Sequence, residues 1–146
     1  MVRPPSGPPA ADEAVDRARL AMMREEVGEE ALRRYAAAYL DRLWGRIDRL
    51  AEAARTRPDD DGLRAVFDLR VSSAMLGATR LAALTVEVEA ALGTGQPIGA
   101  VRLRAVLSEA QAVVADLPLA LTAVLTRPGS GGGVGRWQPP AGPPSP

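Results

Sequence analysis

The sequence predicts an all-α fold: an antiparallel up-down helical bundle with a four-helix core and an added N-terminal helix. Three observations predict it. First, 47% of the 146 residues are hydrophobic but only 3% are aromatic, so the core must be built from Leu, Val, Ala, Met and Ile. That mixture favours helices, since strands draw on β-branched and aromatic residues. Second, the apolar residues recur with the helical period. Third, the breaks between these stripes are short, and short connections make neighbouring helices antiparallel. The length fits one domain.

The chain divides into three parts. Residues 1–10 form a proline-rich arm, 11–125 the bundle, and 126–146 a glycine- and proline-rich tail, TRPGSGGGVGRWQPPAGPPSP. Neither end can repay its ordering entropy by burial, so both are expected to be disordered. Trp137 in the tail reads as incidental.

A first helix is expected over residues 11–27, with Val15, Ala18, Met22 and Met23 as its stripe. Asp12, Glu13 and Asp16 fall in its first turn, where carboxylates suit the helix dipole. Gly28 interrupts. The second and longest helix, 29–56, carries the stripe Leu32, Tyr35, Ala36, Tyr39, Leu43, Ile47, Leu50 and Ala54. Tyr35 and Tyr39 sit on that stripe and read as core or boundary residues. Pro58 blocks further helix and Asp59 is a natural N-cap. The third helix, 60–76, stops at Gly77, a residue suited to a helix C-terminus. The fourth, 79–92, packs through Leu81, Leu84, Val88 and Leu92. A turn, GTGQPIG, precedes the last helix, 98–125, whose stripe is Leu103, Leu107, Ala110, Val114, Leu117 and Leu121. Pro118 inside it is expected to kink it.

Composition removes most chemistry. With no cysteine there is no disulfide, thiolate zinc site or cysteine nucleophile. With no histidine the commonest general base and metal ligand are missing too. A di-metal carboxylate site in a bundle needs Glu-x-x-His motifs, so it fails as well. GSGGGVG lacks the Gly-Lys-Ser/Thr ending of a phosphate-binding loop and reads as linker. Glu25, Glu26, Glu29 and Glu30 read as a solvated face. No enzyme activity, catalytic residue, metal or cofactor is expected. The formal net charge is zero, which disfavours nucleic acid as a partner. The N-terminus lacks an apolar signal core, and no uninterrupted apolar run reaches the ~18 residues of a membrane span. A cytoplasmic protein without membrane contact is expected.

The third helix holds the functional signal. At ~100° per residue, Gly62, Ala65, Val66, Leu69, Ser72, Ser73 and Leu76 share one face, small or apolar throughout, which is the buried one. Ser72 and Ser73 can return their hydroxyl hydrogen bonds to carbonyls of the preceding turn. The other face carries Asp60, Leu63, Arg64, Phe67, Arg70, Val71 and Ala74. On it Leu63, Phe67, Val71 and Ala74 line up as an apolar ridge flanked by Arg64 and Arg70. A contiguous apolar ridge marks an interaction site more often than a lone exposed side chain does.

The stretch FDLRVSSAMLGATRLAAL, residues 67–84, follows a long helix that includes VGEEALRRYAAAYLDRLWGRIDRL, residues 27–50. Together they resemble the histidine-containing phosphotransfer (HPt) domain family, over about residues 23–125. The family's signature runs His-x-Leu-Lys-Gly, small residues, then Leu-Gly-Ala. Leu69 matches the leucine, Arg70 takes the place of the lysine, and Ser72, Ser73 and Ala74 supply the small residues. Leu76, Gly77 and Ala78 match the closing triplet. Two positions depart from the pattern. Phe67 stands where the family has its phospho-accepting histidine, and Val71 where it has glycine. The resemblance therefore implies an HPt-like bundle that cannot carry phosphate, a pseudo-phosphotransfer protein of two-component phosphorelay signalling. It would bind a response-regulator receiver domain or a histidine kinase through Leu63, Arg64, Phe67, Arg70, Val71 and Ala74, the two arginines meeting the partner's carboxylates. The alternative is a scaffolding bundle that homodimerises through the Phe67/Val71 ridge.

Overall fold

The computed structural model describes residues 13–56, 60–126 and 142. The expected arm at 1–10, the cap at Asp59 and nearly all of the tail, Trp137 included, lie outside the described residues. Those described form an all-helical bundle: α1 (Arg17–Val27), α2 (Glu29–Arg55), α3 (Asp60–Met75), α4 (Thr79–Gly93) and α5 (Ala100–Thr126).

Side-chain pairs fix the directions. Tyr39 of α2 meets Ser73 of α3, while Arg46 further along α2 meets Ser72. Arg70 of α3 reaches Glu89 of α4, and Arg80 of α4 reaches Glu109 of α5. Each consecutive pair is thus antiparallel, and α2 packs on α5 to close a four-helix ring. The N-terminal α1 lies against α2 and α5. It runs parallel to α5, with Arg17 at Asp116 and Arg24 at the Val124 carbonyl.

The core is aliphatic, as the composition requires. Leu32, Leu43, Ile47 and Leu50 of α2 meet Val66 and Leu69 of α3, Leu81 and Val88 of α4, and Val106, Val113 and Leu117 of α5. The α2 stripe follows the sequence pattern closely, with Tyr35 at its partly buried edge. All seven residues assigned to the inner face of α3, from Gly62 to Leu76, are buried.

Two helices depart from expectation. The first starts at Arg17, well after residue 11. Asp16 is its N-cap, accepting from the Ala18 and Arg19 amides at 3.0 and 3.4 Å, because an aspartate satisfies free amides best from that position. Residues 13–16 form a non-helical strap instead, with Ala14 and Val15 buried. The α1 stripe is accordingly Leu20 and Met23, while Ala18 is exposed and Met22 is 52% exposed. In α5 the buried side is Val106, Ala110, Val113, Asp116, Leu117, Ala120 and Val124. Leu107 faces outward, and Leu103, Val114 and Leu121 sit at the edges. Almost every turn of this helix offers apolar residues on two sides, so its own pattern does not fix its rotation. The helix continues through Pro118 without a break. It also carries an 18-residue stretch of mean hydropathy 1.3, long and apolar enough by composition to cross a membrane. In the bundle it packs against α1, α2 and α4.

The ends of α3 and α4 close in the same way. After α3, the Gly77 amide donates to the Ala74 carbonyl and the Ala78 amide to that of Ser73. After α4, Gly95 and Gln96 donate to Leu92 and Ala91. These paired bonds are the Schellman arrangement, with a positive-φ glycine at its centre.

Candidate functional site

Small residues let α3 lie close to α2, and hydroxyls seal the contact. The Ser72 hydroxyl donates to the Asp68 carbonyl at 2.6 Å, a bond to the preceding turn, and accepts from Arg46 at 3.1 Å. Ser73 does not turn back to its own helix as expected. Its hydroxyl pairs with the Tyr39 hydroxyl across the interface at 2.8 Å, because Tyr39 is buried there and needs a polar partner. The Tyr35 hydroxyl donates to the Met75 sulfur at 3.4 Å. No buried side-chain polar atom among the described residues is left unpaired.

Burial pushes the Tyr39 hydroxyl up to about 12 from its ordinary 10.0, outweighing the opposing Ser73 hydrogen bond and Arg46 charge. Burial raises Tyr35 as well, again against Arg46. A group with a raised folded pKa stabilises fully below its unfolded pKa, and that contribution is lost as pH rises through the folded value. The chain has no Lys, His or Cys, so its tyrosines are the side chains that titrate in this range. Denaturant midpoints are expected to hold to about pH 10 and then fall towards about pH 12. Tyr39→Phe should remove the steeper part of that fall. Equal slopes in the two proteins would show that Tyr39 ionises as easily folded as unfolded.

The outer face of α3 is open where the sequence places the ridge. Phe67 is 49% exposed and Leu63 38% exposed. Val71 is half-buried and Ala74 exposed. The four residues follow one another along the helix surface, each three or four positions on. Val86 of α4, one turn before Glu89, is also exposed.

The two flanking arginines differ. Arg70 is half-buried beside the ridge. Its Nε donates to Glu89 of α4 at 2.9 Å, and its guanidinium carbon lies 4.9 Å from the Phe67 ring centroid. Its charge is therefore partly satisfied within the bundle and partly spread over the ring face. Arg64 is exposed and forms no ion pair among the described residues. Sequence reasoning missed Glu89, since an interhelical pair depends on axial offset, which the periodicity of one helix does not contain. It also missed the row Arg42, Arg46 and Arg49 on α2, which its i, i+4, i+7 spacing does reveal.

Position 67 offers a phenyl ring, with no nitrogen or oxygen to accept a phosphoryl group. Asp68 beside it is half-buried on the side facing α2. Among the described residues no group of three or more His, Cys, Asp or Glu side chains is placed to hold a metal ion. The chemistry open to this surface is recognition: an apolar anchor in the middle, Arg70 paired on the α4 side, and Arg64 exposed towards α2. Comparison with family models, with curated proteins and with solved structures returned no match for this chain.

Proposed function

We propose that this chain is a docking protein built on an HPt-like bundle, binding a response-regulator receiver domain or a histidine kinase without carrying phosphate itself. The observation that carries this reading is the open ridge Leu63, Phe67, Val71 and Ala74, with Phe67 at the position matching the family's phospho-acceptor. A ring at that place cannot receive phosphate, but it can fill a pocket. Half-exposed aromatics at the centre of an apolar patch supply much of the affinity in protein interfaces. Arg64, exposed and without an ion pair among the described residues, adds a charge that can meet the partner's carboxylates. Bound in this way, the protein would occupy a relay surface and compete with a phosphate carrier or bridge two relay components.

The test is a titration against isolated receiver domains, phosphorylated and unphosphorylated, with Phe67→Glu as the comparison. Saturable binding is expected, weakened about 30-fold or more in the variant, the effect of removing a central aromatic anchor. Phe67 is 49% exposed, so the variant should keep its helical content and melting temperature. Absence of binding to receiver and kinase domains alike would overturn the reading. A dimer at micromolar concentration that Phe67→Glu dissociates would replace it with the homodimerising scaffold.

A further inference from the structure

A cleft of about 360 Å³ lies between α2 and α3, lined on one side by Arg42, Gly45, Arg46 and Arg49 and on the other by Asp61, Arg64, Ala65 and Asp68. A smaller one of about 160 Å³ adjoins it along the same helix pair, past Arg42, Arg46 and Ser72 to Tyr35. At Gly45 the α2 wall faces open space, with nothing within 4 Å of where a Cβ would lie.

Arginines without an ion pair occur elsewhere on the surface, but here four guanidinium side chains line one cleft. Arg17, Arg24, Arg33, Arg70 and Arg80 each pair with a carboxylate. Among the described residues, Arg42, Arg49 and Arg64 form no ion pair, and Arg46 reaches only the Ser72 hydroxyl. Asp61 and Asp68 share the cleft yet lie beyond ion-pair distance of its arginines. Four arginines against two aspartates leave a local excess of two positive charges (4 − 2) in a chain whose formal net charge is zero. Neighbouring guanidinium groups raise the local positive potential and attract an anion, and the planar guanidinium fits a carboxylate with two parallel hydrogen bonds.

Spacing narrows the ligand. Arg42, Arg46 and Arg49 climb α2 in one row, spanning about 10 Å at the helical rise. A row of that length matches successive carboxylates on a peptide better than a single small anion. The two aspartates flank Arg64 on the α3 wall and offset its charge, so negative charge is drawn chiefly to the α2 row. We propose that this cleft docks an acidic segment of a protein partner, its carboxylates pairing with Arg42, Arg46 and Arg49 along α2 and with Arg64 across the cleft. The proposal stands on this geometry and goes beyond the reading of the Phe67 ridge. Arg64 borders both surfaces, so one partner can cover the two together.

The probe is an oligoglutamate peptide, titrated at low salt into the isotope-labelled full chain and followed by NMR at the backbone amides and arginine Nε–H groups. Saturable shifts are expected at residues 42–49 and 61–68, with affinity falling as salt rises. Arg42→Glu combined with Arg49→Glu should weaken binding about ten-fold or more, as reversing paired charges does. Both side chains are exposed, so helical content should be unchanged. Phe67→Ala should bind the peptide as the parent does, which separates failure of this site from failure of the ridge. Equal affinity in the double variant would overturn the proposal, as would shifts centred on Arg102 and Arg104 of α5. Tripolyphosphate binding the same residues more tightly than the peptide would overturn the choice of a protein segment and assign the cleft to phosphate.

Discussion

Gly77→Ala is expected to destabilise the bundle by about 3 kcal/mol, more than most single substitutions of a methyl for a hydrogen. Two costs combine. Gly77 has a φ of +85°, in the left-handed region, where a Cβ costs ~1–2 kcal/mol. The added Cβ would also lie 2.7 Å from the Asp16 carbonyl oxygen and 3.3 Å from the Asp16 nitrogen and the Arg19 Cβ. The oxygen belongs to the backbone and cannot swing aside, so the strap must move. Moving it strains the bond from the Asp16 amide to the Gly77 carbonyl, 2.8 Å long, and a lost hydrogen bond of this kind costs ~1 kcal/mol. Thermal unfolding followed by circular dichroism should fall by roughly 10–15 °C, the shift expected for a domain near this size. Gly45→Ala is the control. That residue is helical, exposed and without a neighbour within 4 Å of its Cβ, so alanine should add about 0.5–1 kcal/mol. A Gly77→Ala protein that melts with the parent would show that strap and α3 end are not in contact. Since Gly77 also ends α3, the same variant should perturb the seating of the helix that carries the ridge.

The seating of α3 was legible before any coordinates because its inner face is chemically distinct. Gly62, Ala65, Val66, Leu69, Ser72, Ser73 and Leu76 are small or apolar, and the opposite face alternates charge with four apolar residues. The contrast fixes the rotation, and with it the exposure of Phe67. Contrast of the same kind made α2 legible. It fails in α5, where leucines, valines and alanines surround the helix and only tertiary packing chooses Val106, Val113 and Val124 as the inner row. The strap was illegible for another reason. Nothing local distinguishes a non-helical Val15 from a helical one, since the strap's partners, Asp116 on α5 for Val15 and Gly77 after α3 for Asp16, are remote in sequence. The candidate site divides along the same line. The ridge follows from one helix and was readable. The Arg70–Glu89 pair and the cleft facing Arg42, Arg46 and Arg49 need two helices in register, which one helical period does not encode.

Asp116→Ala should release the strap and destabilise the protein by about 2–4 kcal/mol, somewhat below the ~3–5 kcal/mol for removing one partner of a fully buried ion pair. Asp116 is 7% exposed on the inner side of α5. One carboxylate oxygen accepts from the Val15 amide at 2.9 Å and from Arg17, and the other accepts from Arg17 at 2.9 Å. Arg17 in turn donates to the Val15 carbonyl at 2.9 Å, and Arg80 holds the Glu13 carbonyl at 3.0 Å. Removing the carboxylate leaves the Val15 amide buried without a partner. Arg17, at 27% side-chain exposure, is open enough to reach water, which is the reason for the lower figure. Asp116→Asn keeps an acceptor for Val15 and loses the charge, so it should fall between Ala and the parent. Acid separates charge from shape. Burial pushes the Asp116 carboxyl up, but the Arg17 hydrogen bonds and charge and the strap amides override it and hold the folded pKa below the ordinary carboxylate value. A depressed folded pKa stabilises above the unfolded value, near 3.9, and that contribution is lost as pH falls through the folded value. The gap between parent and Asp116→Asn should therefore be full at neutral pH and should close in acid below about pH 4. Trypsin cleavage after Arg17 reports the strap itself and should accelerate in Asp116→Ala under conditions where the bundle stays folded. A gap independent of pH would mean that the site holds the strap by shape alone, and unchanged cleavage would mean that Gly77 and Arg80 suffice to keep it in place.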